Sequence, residues 1–474
     1  MFRLNNILSR FTKPTCKRRR TLAETFLHAF ARKLTSVDFA DVPATTVTKA
    51  KLHILDTFGA AIAGSTSPET RMVLDGFGLD ASQGTSPIWG TPLSADARTA
   101  AFVNGVSAHA FELDDSGGCD HSGAVVLPAA IAALGTTQQA VHGCDFLTSV
   151  IIGYEAGRRV LEAAGGYEVH NGIGWHSTGT CGAFGAAAAV AALMKFDAEH
   201  MASALGLACS FAGGTWAFIH DSSAAKKLHA GRGAEGGIVA GNLAAKGFQG
   251  PSAIFERESW GSFFQTFCRG EADAEALSRD FGENWRIDRC SIKPYATCRG
   301  THAAIDAVDL LLRQHALAHD AITSITVDMS RFQFGMCGSK AVASRAQAQM
   351  SLPYALAARL LYGKVSLAEL EESAWRNPSI QPWLDRQTVR IDPAMSDEDE
   401  PVVSLLTEDG QHLTAGVEFP LGSPANPLSE QQIVDKYRDL AGIALQAEKI
   451  ERLRDAVLTL ECIEDTRTLL TMLQ

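Results

Sequence analysis

Four short segments of the sequence concentrate side chains that move protons or hold anions. The first, Glu112-Leu113-Asp114-Asp115-Ser116-Gly117-Gly118-Cys119-Asp120-His121-Ser122-Gly123, sets four carboxylates and an imidazole within ten positions, between two apolar runs. If this Gly-broken loop turns inward, a buried histidine beside carboxylates is a proton carrier, and Glu112, Asp115 and His121 become candidate catalytic groups. If it turns outward, it is a solvated acidic loop whose aspartates cap helices. The second segment, Gly174-Trp175-His176-Ser177-Thr178-Gly179-Thr180, stands just before an Ala-rich run. A serine or threonine there explains itself as a helix cap, but His176 does not. At the mouth of a buried helix, where backbone N–H groups favour negative charge, it suits carboxylate binding or acid catalysis. The plain alternative is a satisfied core histidine.

The third and fourth segments, Lys226-Lys227-Leu228-His229 and Lys293-Pro294-Tyr295-Ala296-Thr297-Cys298-Arg299-Gly300-Thr301-His302, bring cations into small or apolar surroundings. A solvated cationic face is usually mixed with acids, so these cations read as a clamp for substrate carboxylates, with Lys226, His229, Lys293 and Arg299 as candidate binding residues. Lys226 lies in the expected first domain and Lys293 where the second domain begins, which puts such a clamp at a domain interface. Tyr295 and Tyr354 could add a phenol, although buried tyrosines are more often packing residues with a satisfied hydroxyl.

Two kinds of element must hold these segments. From Thr21 to about Phe281 apolar residues recur at helical spacing, giving expected helices at 22–34, 44–63, 95–110, 124–140, 143–164, 182–194 and 198–212. The pattern changes near Asp288. Ile322 to Met329 alternates as a strand, and Val402 to Leu406 faces Leu413 to Phe419 across the turn dipeptide Asp409-Gly410. Helical stretches at Thr301 to His315 and Ser351 to Leu361 interrupt them, the second stopped by Gly363. Ser429 to Leu473 returns to a helical pattern after a proline-marked linker. The fold class is therefore mainly α with an α+β second domain: a basic extension at 1–20, a large helical domain at 21–285, a smaller α+β lid at 286–424, and helices at 425–474 that rejoin the first domain.

Composition limits the function. At 474 residues, with 46% apolar and 20% charged side chains, the chain is a globular protein long enough for two domains. A net charge of -11 argues against a nucleic-acid partner. The apolar run from Cys181 to Met194 is shorter than the roughly 20 residues a bilayer needs, which argues against a membrane partner. Ten cysteines stand singly, without the grouped thiolates an iron-sulfur dehydratase requires, so no metal and no cofactor is expected. Free thiols favour a cytoplasmic location. The seven cations and no acids before Glu24 would suit a mitochondrial presequence, or else a basic extension. Gly231-Arg232-Gly233-Ala234-Glu235-Gly236 has the dinucleotide spacing, but no apolar strand precedes it; its glycines are expected to let a helix pack closely after a basic loop.

Taken together, these segments, with Leu52-His53-Ile54-Leu55-Asp56-Thr57 and Gly153-Tyr154-Glu155, resemble the MmgE/PrpD family over nearly the whole chain from about Leu22. That family includes 2-methylcitrate dehydratases, cis-aconitate decarboxylases and iminodisuccinate epimerases. The resemblance implies a cofactor-independent homodimer acting on small polycarboxylates. Its site would match Glu112, Ser116, His121, His176, Lys226, Lys293 and Tyr354. Glu stands at 112 where the family's decarboxylases have Asp, Ser at 116 where they have Thr, and the loop from Ser116 to His121 is shorter. Dehydration of a 2-methylcitrate-type hydroxy acid is the first expectation. Decarboxylation of a cis-aconitate type and epimerisation of an imino or hydroxy diacid share its carbanion. A silent carboxylate-binding paralogue is the non-enzymatic alternative.

Overall fold

Helices built from alanine, glycine and valine can lie close together, because short side chains let backbones approach. In a computed structural model describing residues 24–474 except Ser222, this is how the N-terminal part packs. The basic extension, and with it the presequence, lies outside the described residues. The helices are α1 (Phe26–Thr35), α2 (Ala44–Gly64), α3 (Ala97–His109), α4 (Gly123–Leu134), α5 (Gly143–Ala163), α6 (Gly182–Leu193), α7 (Ala198–Ala208) and α8 (Ala225–Ala244). Every residue of α4 is buried, as a helix apolar on all sides must be. Around it pack α3, α6 and α8.

The segment from Lys226 to Gly231, expected as a loop, instead forms the first turns of α8. The glycines of the dinucleotide-like spacing serve contact between helices. A Cβ built on Gly231 would stand 2.5 Å from the Phe102 carbonyl oxygen, and one on Gly105 would stand 2.8 Å from the Gly231 Cα. Only a pair of glycines lets α3 and α8 cross this closely, and that crossing sets His109 at the end of α3 near the lysines at the start of α8.

The C-terminal part carries α9 (His302–Gln314), α10 (Leu352–Tyr362) and a four-stranded mixed sheet. Its strands are β1 (Ile322–Met329), β2 (Gln387–Ile391), β3 (Val402–Thr407) and β4 (His412–Gly416), in the spatial order β2-β1-β3-β4. β1 runs parallel to β2 and antiparallel to β3, with Val327 opposite both Val389 and Val403. The pairing of β1 with β3 slips between Ile322 and Ser324, an irregularity that lets Ile322 and Ile325 both face inward despite their odd spacing. Gly363 ends α10 at φ +78°. β2 was not foreseen, because its alternation, Val389-Arg390-Ile391, is too short to stand out after a run of short helices.

Helices α11 (Glu430–Ala441) and α12 (Ala447–Leu458) return to pack on α2. Val434, Tyr437, Ile450 and Leu453 join the core built around α2 and α4. Among the described residues no helix is long and apolar enough to cross a membrane.

The α3–α8 contact yields a stability prediction. Ala ordinarily stabilises a helix interior by about 1 kcal/mol relative to Gly. Gly231→Ala should instead destabilise the protein by about 1–3 kcal/mol through overpacking. Urea unfolding reads this directly, and an unchanged or raised midpoint would refute the close crossing.

Candidate active site

The loop between α3 and α4 is buried almost throughout, so its charged side chains have to find partners inside the protein. Two of its non-glycine residues adopt left-handed backbone, Glu112 at φ +56° and Asp120 at φ +105°. Such conformations persist only where the surroundings enforce them. Phe111 and Leu113 sink into the core beneath the sheet, which leaves the intervening Glu112 directed toward the lysines. Ser116 is fixed by a two-way backbone bridge: its N–H donates to the Ser291 carbonyl at 3.1 Å, and the Ser291 N–H donates back at 2.8 Å. This bridge brings Lys293, two residues on, to the loop. From beneath, Lys436 of α11 pairs with buried Asp56 at 2.6 Å and donates to the Leu113 carbonyl at 2.7 Å.

Glu112 is the meeting point. Its carboxylate lies 2.8 Å from the Lys226 Nζ, 2.6 Å from the Lys227 Nζ and 3.5 Å from the Lys293 Nζ, and all four side chains are buried. Burial alone would raise the Glu112 carboxyl, but Lys226, Lys227, His109 and Lys293 outweigh it and hold it well below the usual carboxylate range. One carboxylate cannot offset three ammonium groups. Lys293 Nζ has no hydrogen-bond partner. Lys226 and Lys227 also occupy the first turn of a helix, the end where the backbone dipole disfavours cations. Asp114, close to Lys293, and Asp120, close to Lys226, supply further negative charge.

Beside it stand three imidazoles. His121 Nδ1 donates to the Asp115 carbonyl at 2.8 Å and lies 3.1 Å from an Asp114 oxygen, so Nε2 is its free nitrogen. His109 packs against it with the rings tilted by 47° and 4.1 Å between centroids, its Nδ1 2.9 Å from Asp114 and its Nε2 3.4 Å from Glu112. His176 is placed by pairing of Trp175 with Thr215 and by its own N–H donating to the Gly214 carbonyl. Its Nδ1 lies 2.9 Å from the His229 Nδ1. Burial lowers His121, but the Asp120 and Asp114 carboxylates more than reverse this and raise it above the ordinary 6.5. Burial lowers His176 to about 4, although Asp120 pulls the other way. Near neutral pH, His121 can give a proton and His176 can take one.

A cleft of about 400 Å³ opens over this group, lined by Glu112, Ser116, Asp120, His121, Lys226 and Arg299 among others. A second cavity, of about 250 Å³, lies across the Glu112–Lys226 pair and is lined by Lys227 and Met350. His109, Asp114 and His121, and likewise Asp120, His121 and His176, bring nitrogen and oxygen atoms within 4.8 Å of one another. Nitrogen and oxygen sets of this kind can bind cations, and Lys226 and Lys293 stand close enough to both sets to weaken such binding.

Not every expected residue reaches the cleft. Arg299 lines it but is paired with Glu400 at 2.6 Å. His229 sits behind His176. Asp115 faces away, accepting from the Gly123 N–H at 2.9 Å and the Tyr154 hydroxyl at 2.6 Å; it anchors the loop to the start of α4. Tyr354 is wholly buried in the core beneath the sheet, its hydroxyl donating to the Glu369 carbonyl. Phenol chemistry is thereby assigned away from the site, because the hydroxyl is already satisfied elsewhere.

The sequence matches the model of the MmgE/PrpD N-terminal domain over residues 28–275 and that of the C-terminal domain over 295–461. The chain belongs to the MmgE/PrpD family. Among its relatives is a cis-aconitate decarboxylase-like protein, oryM, of Aspergillus oryzae, 29% identical over 466 residues that cover 93% of this chain and 95% of that protein. A cis-aconitate decarboxylase of Aspergillus terreus is 29% identical over 91% of this chain and 92% of its own length. The cis-aconitate decarboxylase of Homo sapiens is 25% identical over 96% and 95%. Within this family member, His109 and Asp114 are site residues that sequence reasoning did not single out as catalytic or binding groups. Their signal was a histidine at the end of an apolar helix, three residues before Glu112 and five before Asp114.

Glu112 makes stability depend on pH. A carboxyl held below its ordinary 4.5 stabilises the fold above that value, and the contribution is lost as pH falls through the lowered pKa. Glu112→Gln should lower stability at pH 7 by about 3–5 kcal/mol, since it leaves buried ammonium groups unmatched. It should also flatten the further loss on acidification below pH 4.5. Urea midpoints measured against pH check both, and a variant that follows the wild type at every pH would show that Glu112 does not neutralise the lysines.

Proposed function

We propose that this chain is a lyase that releases carbon dioxide from a small unsaturated polycarboxylate of the cis-aconitate type. The observation that carries this reading is the convergence of three buried lysines from two distant segments on Glu112, beside a cleft lined by Lys226, Arg299 and His121. A ligand rich in carboxylates would meet Lys226 at the cleft wall, with Lys293 buried behind Glu112 adding its charge from a second layer. Arg299 can join them by exchanging Glu400 for a substrate carboxylate. The relatives named as cis-aconitate decarboxylases favour this reaction over the dehydration first expected from sequence.

In decarboxylation the C–CO₂ bond breaks and its electron pair stays with the carbon framework, next to a remaining carboxylate. Lysine ammonium groups offset that developing charge in a site largely shielded from water. His121 then delivers a proton from Nε2, forming the new C–H bond. Its Nδ1 hydrogen is committed to the Asp115 carbonyl, which fixes the ring and leaves one nitrogen for the transfer. The raised His121 pKa keeps that proton available near neutral pH. Dehydration would also need a base and an acid for one carbon and one hydroxyl, but would take up no net proton.

The test is incubation with cis-aconitate, 2-methylcitrate, citrate and iminodisuccinate in deuterated water, followed by NMR. Carbon dioxide release from cis-aconitate with one deuterium in the product is expected. An alkene formed without carbon dioxide would replace this reading by dehydration, and deuterium exchange without loss of a group by epimerisation. No turnover of any of the four would indicate a binding protein. His121→Ala should lower kcat about 10²–10⁴-fold, the range for a general acid, and Lys293→Ala should chiefly raise KM.

A further inference from the structure

Four titratable side chains stand in file, from Asp120 and His121 at the cleft wall to His176 and His229 behind it. The Asp120 Oδ2 lies 3.5 Å from the His121 Nε2 and 3.5 Å from the His176 Nε2, and the His176 Nδ1 lies 2.9 Å from the His229 Nδ1. His176 Nε2 is fully buried and has no hydrogen-bond partner of ordinary geometry. Asp120 keeps its place between the imidazoles in a backbone conformation, φ +105°, that non-glycine residues rarely adopt, although Gly117 and Gly118 stand nearby in the same loop. A carboxylate held so has a role that depends on its position.

We propose that Asp120 is a positioning residue that couples His121 to His176 and His229 as a path along which protons from solvent resupply the acid of the site. The inference rests on the decarboxylase reading for its chemistry, because that reaction consumes a proton in each cycle. The C–CO₂ bond breaks, the C–H bond forms with the proton from His121 Nε2, and His121 is left neutral. With substrate filling the cleft and Nδ1 held by the Asp115 carbonyl, Nε2 can recover a proton only from Asp120. Asp120 takes it from His176 Nε2, His176 Nδ1 takes one from His229 Nδ1, and His229 Nε2 takes one from solvent, so one solvent proton enters for each proton delivered and both imidazoles must return to their starting tautomers before the next cycle.

The charged neighbours fit these directions of transfer. His121 faces Asp114, Asp120, His109 and Lys293; His176 faces Asp120, His121, His109, His170, His229 and Lys226; His229 faces His176 and Lys226. Burial would raise the Asp120 carboxyl, but His121, His176 and Lys226 hold it below the usual range. Burial, with His176 and Lys226, lowers His229 to about 3. Protons are thus drawn toward His121, the one member of the file that is raised.

The experiment follows the His121 ring by NMR in the full chain labelled at histidine ¹³Cε1, without substrate, with the peak assigned through His121→Gln. Asp120→Asn should lower the His121 pKa by about one unit or more, the usual effect of removing an adjacent opposite charge. Asp120→Glu should restore it. With cis-aconitate, Asp120→Asn should lower kcat about 100-fold with KM within about twofold. It should also shift the alkaline limb of kcat/KM to lower pH, since the acid then loses its proton earlier. A folded Asp120→Asn protein in which the His121 pKa is unmoved overturns the coupling. If the wild type does not decarboxylate cis-aconitate, the decarboxylase reading fails, and the NMR titration still decides whether Asp120 governs His121. Should Asp120→Asn not fold, His229→Asn reads the outer end of the path. A kcat lowered about tenfold and restored by added imidazole supports it, and an unchanged kcat overturns it.

Discussion

Three buried ammonium groups around one buried carboxylate set the terms for the rest of this structure. Charges removed from water are costly unless paired, and here the partners come from distant elements: Lys226 and Lys227 from the start of α8, Lys293 from the opening of the C-terminal part, and Glu112 from the loop after α3. No one element could gather them. The fold has to hold the lysines against their mutual repulsion, and it does so with rigid, closely packed surroundings. The glycine crossing of α3 and α8 is part of that holding, because it fixes how far His109 and Glu112 stand from the helix that carries two of the lysines.

The same constraint joins the two parts of the chain. Phe111 and Leu113 belong to the core beneath the sheet, whereas the helices that flank their loop belong to the helical core. Ser116 pairs with Ser291, and Lys436 from the C-terminal helices supports the loop from below. The site loop is therefore fastened by the beginning, middle and end of the sequence. A cleft bounded in this way can exclude water on three sides while leaving cations from both parts to meet a ligand, which strengthens every electrostatic interaction within it.

Proton chemistry follows from how the imidazoles are tied down. A backbone carbonyl commits one nitrogen of His121, carboxylates on two sides stabilise its charge, and burial keeps His176 neutral. Two histidines of the same ordinary pKa are thus pushed apart by their surroundings, which is the usual way a protein sets an acid and a base side by side. Asp115, which on sequence alone looked like part of that machinery, instead holds the loop to Tyr154 and Gly123. Tyr354 is likewise absorbed by packing, its hydroxyl satisfied by Glu369.

Periodicity in the sequence was enough for α2 to α7, though not for the short helix at Pro68–Gly76, and for the strand at Ile322–Met329 and the hairpin across Asp409-Gly410, since local hydrophobic spacing and turn chemistry decide those elements. The kinds of residue at the site were legible too: cations isolated among small residues, and carboxylates crowded beside a histidine. Their partnership was not, because it depends on side chains far apart in the chain. That Lys226 and Lys227 begin a helix, that His109 packs against His121, that Asp115 and Tyr354 turn away, and that Gln387–Ile391 joins the sheet are outcomes of packing between distant segments. The sequence determined which chemistry was available and roughly which elements would carry it. Tertiary structure alone decided which charges face one another, because burial, and with it the strength of every charge interaction, exists only once the chain has closed around them.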